Sequence, residues 1–471
     1  MKKALSLLLL LSLLLPGCRH VVSVKEVPAA TPLPPTPTPT PTIGVMATQN
    51  IEIPVIEPTT PPTDPPTPEP TPEPTPTKEP PTPAPTPAPT PEPTPAPILV
   101  REDFSRLCAF HSTQRDVYFG AFVDDVLLSS CILSEGTCLS YTWEETVSPD
   151  VLYWFAFVPP DSFHIEQEDA SGALLQAEDY VPERLCCQYP ILAECRKITV
   201  RFDGRCKLNA FQVFGKGDAF PPRTVWWEPP REYCDLLLIS THFDDEILMM
   251  GGVLPIYAGD QHRDCAVIYM VNEGNRVRLM EAFQGLWEMG VKREPIALGL
   301  DFESMLKTLK EDAAGIVAQN DLTTVVGLLR QLRPLVLVTH DVNGEYGHRE
   351  HIKTSAVVRR AVELASDPTY DPDSAEQYGV WQVQKVYLHL WPENQLLLDI
   401  DTPLENMNGR TAKQVAKAAF AYHKSQQKWG VEAENAKHPI GQFGLYFSSV
   451  GPDSGINDMM ENVVAPTEQP N

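Results

Sequence analysis

The sequence predicts two folded parts in series: an all-β sandwich over residues 99–228 and a doubly wound, mostly parallel α/β sheet over residues 229–465. Three observations predict this. Of the 49 prolines, 28 fall between Pro28 and Pro97, so the first 98 residues build no core. Residues 99–228 carry short aromatic and β-branched runs punctuated by Gly, Pro, Asp and Ser. Beyond residue 229, apolar runs of strand length alternate with stretches of helical spacing, the pattern of a parallel sheet with helices on its faces.

Residues 1–18 read as a secretory signal. Lys2 and Lys3 precede an apolar run over residues 4–15, which is too short to cross about 30 Å of hydrocarbon. Leu15-Pro16-Gly17-Cys18 resembles the lipobox of bacterial lipoproteins. The resemblance implies acylation of Cys18 and a lipid anchor in the membrane. The plainer alternative is a cleaved signal with an incidental cysteine. Residues 19–98 alternate Pro with Thr, Ala and Glu, which favours extended polyproline II. They predict a disordered stalk, or a solvated linker of no fixed length. Both place the folded parts outside the cytoplasm of a bacterium, and Arg19 with the long spacer favours a Gram-positive surface. The net charge of −25 repels phosphate backbones and excludes nucleic acid as a partner.

Within residues 99–228, the runs at 117–123, 152–158, 197–202 and 208–214 read as strands. Their order resembles the galactose-binding, discoidin-like jelly roll. That likeness implies a carbohydrate-binding module, in which Tyr141, Trp143, Trp226 and Trp227 are candidates for stacking on sugar rings. For any one of them, burial in the core or against the next domain is the simpler expectation. Nine cysteines follow Cys18 with no Cys-x-x-Cys spacing, which argues against a zinc ribbon. Export permits disulfides, but an odd count leaves their pairing open.

In residues 229–465, the run 234–241 reads as a buried parallel strand, 266–271 as a second, 296–298 as a short third and 335–339 as a fourth. Residues 276–290 and 320–332 have helical spacing, and 352–364 form an amphipathic run. In such Rossmann-like sheets ligands bind at the carboxyl ends of the strands. His242 and His340 each follow a strand directly and belong on that edge. His242-Phe243-Asp244-Asp245-Glu246 forms one cluster, and three histidines, His340, His348 and His351, form another within twelve residues. Histidine and carboxylate from two strand ends suit zinc. Adjacent aspartates allow one to ligate while the other accepts a proton from water.

At these residues the chain resembles the PIG-L/LmbE-like family of zinc-dependent N-acetylglucosaminyl deacetylases. Thr241-His242-Phe243-Asp244-Asp245-Glu246 stands where the family has a small residue followed by His-Pro-Asp-Asp-Glu, with Phe243 for Pro. Tyr346-Gly347-His348-Arg349-Glu350-His351 stands for Tyr-Gly-His-Pro-Asp-His, with Arg349 and Glu350 departing. Arg278 and Glu281 match an Arg-x-x-Glu ahead of a helix that ends at Met289-Gly290, and Tyr422-His423-Lys424-Ser425-Gln426 is a weaker tail. The resemblance implies that His242, Asp245 and His351 hold one Zn2+ per chain. Asp244 would be the general base. His348, assisted by Tyr346, would stabilise the tetrahedral oxyanion or protonate the leaving amine. Arg278 would contact substrate oxygens, with a surface helix arginine as the lesser alternative, and His423 reads as satisfied or exposed. The implied substrate is an N-acetylated amino sugar. The rivals are a glycan-binding surface protein with an inactive hydrolase domain and a zinc amidase on a non-sugar amide. No GxSxG elbow, Walker loop, GxGxxG after a strand, or HExxH occurs. The sequence leaves the oligomeric state open.

Overall fold

The computed structural model describes residues 98–465 apart from 183, 192, 230, 272–274, 301–318 and 428–436. The signal segment with Cys18, and residues 19–97 of the stalk, lie outside the described residues. Among the described residues no helix is long and apolar enough to cross a membrane.

Nine strands make the first part: β1 (Ala109–Ser112), β2 (Cys131–Leu133), β3 (Cys138–Val147), β4 (Pro149–Val158), β5 (Ser162–Glu168), β6 (Leu174–Tyr180), β7 (Cys186–Pro190), β8 (Cys195–Asp203) and β9 (Cys206–Gly215). They form one sheet in the order β1-β3-β8-β5-β6 and a second in the order β2-β9-β4-β7. All their pairings are antiparallel. The two inner faces meet over a core that includes Tyr141, Trp154, Phe163, Phe202 and Phe211, as a sandwich requires.

Residues 117–123, expected as a strand, instead turn into a one-turn helix, Gly120–Val123. Phe119 and Phe122 both reach the ring of Phe110, at 4.6 and 6.1 Å. Residues three apart share a partner on a helix, whereas a strand would send them to opposite faces. The simpler expectation, burial, holds for three of the four aromatics offered for sugar stacking, and Trp226 is half-buried. Tyr141, Trp143 and Trp227 are at most 3% exposed, so they offer no open face. Tyr141 stacks on Phe211, and Trp227 packs edgewise on Phe283 and Trp287 of the second part.

β4 is buried on both faces, which explains its continuous apolar run. Leu152, Trp154 and Ala156 face the sandwich core. Val151, Tyr153, Phe155 and Phe157 join a second core shared with the α/β part. Phe155 meets Phe283 at 5.5 Å. Arg276 donates to the Phe157 carbonyl at 3.2 Å, and Arg184 lies 3.2 Å from Glu294.

The α/β part holds β10 (Cys234–Ser240), β11 (Cys265–Tyr269), β12 (Ile296–Ala297), β13 (Pro334–Thr339), β14 (Lys385–His389), β15 (Gln395–Leu397) and β16 (Gln442–Ser448). Their order is β12-β11-β10-β13-β14-β16-β15. The first five are parallel, and β16 runs antiparallel to both β14 and β15. Side chains of β10 alternate between two cores. Leu236 and Leu238 meet the helices Arg276–Glu288 and Ala412–Phe420 on one face. Leu237 and Ile239 meet Gln319–Leu332 and Arg349–Ala365 on the other. From β10 the chain winds outward through β11 and β12, then returns to β13 on the opposite side. The carboxyl ends of β10 and β13 therefore form a topological switch point, where open sheets bind ligands.

Candidate metal centre

His242 leaves β10 at this switch point, and a turn brings Asp245 to the start of a short helix, Asp245–Leu248. Asp245 Oδ2 accepts from the His242 backbone N–H at 2.8 Å and lies 2.8 Å from His242 Nδ1. Phe243 turns inward, fully buried, with its ring 4.9 Å from that of Tyr269. A core contact thus sets the turn where the family has proline.

His351, on the first turn of Arg349–Ala365, brings its Nε2 to 3.1 Å from Asp245 Oδ2 and 3.4 Å from His242 Nδ1. The three donor atoms are thus 2.8, 3.1 and 3.4 Å apart. Bonds of about 2.0–2.1 Å to a tetrahedral zinc set donors about 3.3 Å apart, so the trio fits that ion. All three side chains are nearly buried, and two neutral imidazoles with one carboxylate suit zinc chemically. Burial alone would lower His242, but Asp245 and Glu350 outweigh it and push the imidazole up to about 10. His351 is likewise depressed by burial, then raised by Asp245 and Glu345 to about 9. Burial works against the Asp245 carboxylate, yet the two imidazoles hold it well below its ordinary range. Without a cation the site therefore attracts protons to the same atoms that would hold one.

The remaining predicted residues surround this trio. Arg278 Nη2 lies 2.8 Å from Asp244 Oδ1, both side chains nearly buried. The arginine expected to face substrate oxygens is therefore seated on the expected base. Glu281, one helical turn on, accepts from the Ser425 N–H at 2.9 Å and from its hydroxyl. The Arg-x-x-Glu pair thus braces Asp244 with one side chain and the tail at Ser425 with the other. The His348 ring stands 4.4 Å from that of His351 and 5.0 Å from that of His242. Its buried Nδ1 has no hydrogen-bond partner among the described residues. Burial, then the neighbouring imidazoles, lower its pKa and favour the neutral ring. Tyr346 is 60% exposed, and its ring lies 5.6 Å from that of His348. His423 is fully buried beside Phe420 and is held down to about 3 by burial and Arg278.

Three features escaped the sequence reading. Glu350, which departs from the family motif, accepts from His242 Nε2 at 2.6 Å and so holds the ring. Glu345 gathers His340, His351 and His389 around its carboxylate. His389 ends β14, and the signal was present: it closes an apolar strand run just as His242 and His340 follow theirs.

Comparison with known proteins finds relatives of part of this chain. A 1D-myo-inositol 2-acetamido-2-deoxy-alpha-D-glucopyranoside deacetylase from Catenulispora acidiphila is 30% identical over 187 residues, 34% of this chain and 57% of that protein. A protein of the same description from Geodermatophilus obscurus is 31% identical over 192 residues, 35% of this chain and 64% of that protein. The chain thus spans 57 and 64% of the length of these two curated relatives. Among solved structures, the N,N'-diacetylchitobiose deacetylase of Pyrococcus horikoshii is matched at 16% identity with a TM-score of 0.33, over 42% of this chain and 74% of that one. Residues 237–362, which carry His242, Asp244, Asp245, Arg278, Tyr346, His348 and His351, match the family model described as PIG-L: GlcNAc-PI de-N-acetylase.

Proposed function

We propose that this chain is a zinc-dependent deacetylase that hydrolyses the N-acetyl amide of an amino sugar in a glycan or glycoconjugate. The observation that carries the reading is the donor trio His242–Asp245–His351 standing next to the Arg278-braced Asp244. Zinc held by that trio would supply a Lewis acid for the amide carbonyl and lower the pKa of a water to about 7. Asp244 takes the proton of the attacking water, and Arg278 keeps its carboxylate in place. His348, a neutral ring whose Nδ1 has no hydrogen-bond partner among the described residues, donates an N–H to the developing oxyanion, or relays to the leaving amine the proton that Asp244 took from water, with Tyr346 beside it at the mouth. Balanced, the step adds water across the C–N bond and yields acetate and a free amine. The names of these relatives support an acetamido sugar as the substrate class.

The test is acetate release by the zinc-loaded full-length protein. N-acetylated amino sugars and chito-oligosaccharides should release acetate, and N-acyl amino acids should not. The reverse preference would replace the reading with a non-sugar amidase, and no release from any substrate would favour an inactive domain.

The proposal extends to topology. The lipobox-like segment supports a lipid on Cys18, a proline-rich spacer, and an extracytoplasmic enzyme on a bacterial surface of Gram-positive type. A Cys18→Ala variant that stays equally membrane-bound would refute the anchor.

A further inference from the structure

Glu345 stands in the turn Gly344–Gly347 with φ 55° and ψ −78°. Residues other than glycine rarely adopt this conformation. The surroundings that hold it there are polar. The Glu345 side chain is fully buried, and four donors converge on its two oxygens. Oε1 accepts from His340 Nδ1 at 3.1 Å, from His389 Nδ1 at 3.0 Å and from the Asp341 N–H at 3.1 Å. Oε2 accepts from His351 Nδ1 at 2.7 Å.

The partners decide the tautomers. His340 Nε2 accepts from the Thr241 N–H at 3.0 Å, so its proton sits on Nδ1 and points at Glu345. His389 faces an acceptor at each ring nitrogen, Glu345 Oε1 at Nδ1 and the Pro439 carbonyl at Nε2 at 3.1 Å, so it donates to both only when the ring carries both protons. For His351, a carboxylate on Nδ1 keeps the proton there and leaves the Nε2 lone pair aimed at the donor trio. A carboxylate behind a ligating imidazole both orients the ring and raises its basicity. His389 and Pro439 lie outside the segment 237–362 that matches the family model.

We propose that Glu345 is a positioning residue of the metal centre: its buried carboxylate fixes the His351 tautomer that presents Nε2, and through His389 it ties the end of β14 and the Pro439 backbone to that ligand. The inference rests on the metal reading above.

The experiment uses the full-length protein with histidine labelled by 15N, zinc added against a competing chelator, and a Glu345→Gln variant. Glutamine has the same shape but only one oxygen. If that oxygen serves His340 and His389, its NH2 faces His351 Nδ1 and drives the proton onto Nε2. The expected result is a zinc affinity lower by about 10–100-fold, with the wild-type His351 protonated on Nδ1 and unprotonated on Nε2 when zinc is bound. A Glu345→Gln protein that binds zinc as tightly as wild type would overturn the proposal. If the variant does not fold, the wild-type spectrum decides alone, since an unprotonated Nδ1 on zinc-loaded His351 overturns it equally. Failure of the metal reading looks different. The wild type would then bind no zinc, while its apo spectrum would still give a hydrogen-bonded His351 Nδ1–H that supports the Glu345 contact.

Discussion

Arg278 and Asp244 form an ion pair of 2.8 Å in which neither side chain is more than 11% exposed. The pair joins the helix Arg276–Glu288 to the turn after β10 and sets one aspartate of the adjacent pair apart from the other. Asp245 faces the two imidazoles and Asp244 faces the guanidinium. The same residue type, one position apart, therefore has two environments.

Removing the guanidinium tests that separation. Arg278→Gln should lower kcat about 10²-fold, since small displacements of a reacting group cost that much. Its zinc content should stay at the wild-type level, because Arg278 pairs with Asp244, which lies outside the donor trio. Parallel kinetics and metal analysis check this. Loss of metal in the variant would mean that the helix supports the donor trio itself.

Asp245→Asn should weaken zinc binding, because a neutral amide is a poorer ligand than a carboxylate. His242→Ala combined with His351→Ala should abolish it. Equilibrium dialysis against zinc reads both. Full occupancy in the double variant would remove the trio from consideration.

The contact between the two folded parts carries its own pH signature. Burial pushes Glu294 up to about 7, although Arg184 lies 3.2 Å away and opposes the shift. The raised value means that between about pH 4.5 and 7 the folded chain holds a proton that the unfolded chain has lost. Stability should therefore fall as pH rises through that window, by up to about 3 kcal/mol. Glu294→Gln should flatten the dependence. Denaturant titrations at pH 5 and 7.5 measure it, and equal pH slopes in the two proteins would contradict the assignment.

Phe155→Ala removes a ring that is fully buried against Phe283. It should destabilise the chain by about 3–5 kcal/mol. Thermal melting checks the size of the effect. A loss below about 1 kcal/mol would mean that this face of β4 is not a shared core.

The strands of the parallel sheet were legible because buried strands read as unbroken apolar runs, as over Cys234–Ser240 and Pro334–Thr339. The residues gathered at the centre were legible from their place after those strands. Aromatic content misled at one run. Residues 117–123 read as a strand because Phe119 and Phe122 are aromatic, yet their shared partner Phe110 calls for a helical turn. Tyr141, Trp143 and Trp227 are large enough to stack on a sugar, but tertiary packing hides them. Glu345 was illegible because its role depends on His389, 44 residues further on, and on a backbone conformation that no local pattern signals.

The most direct test is acetate released per enzyme from a chito-oligosaccharide, compared between zinc-loaded wild type and zinc-loaded Asp244→Asn. Asparagine keeps the shape of aspartate but cannot take the proton of water. A positioned general base contributes about 10²–10⁴-fold, so the variant should hold wild-type zinc and release acetate slower by that factor. A variant that turns over at the wild-type rate with the same metal content would contradict hydrolysis at this centre.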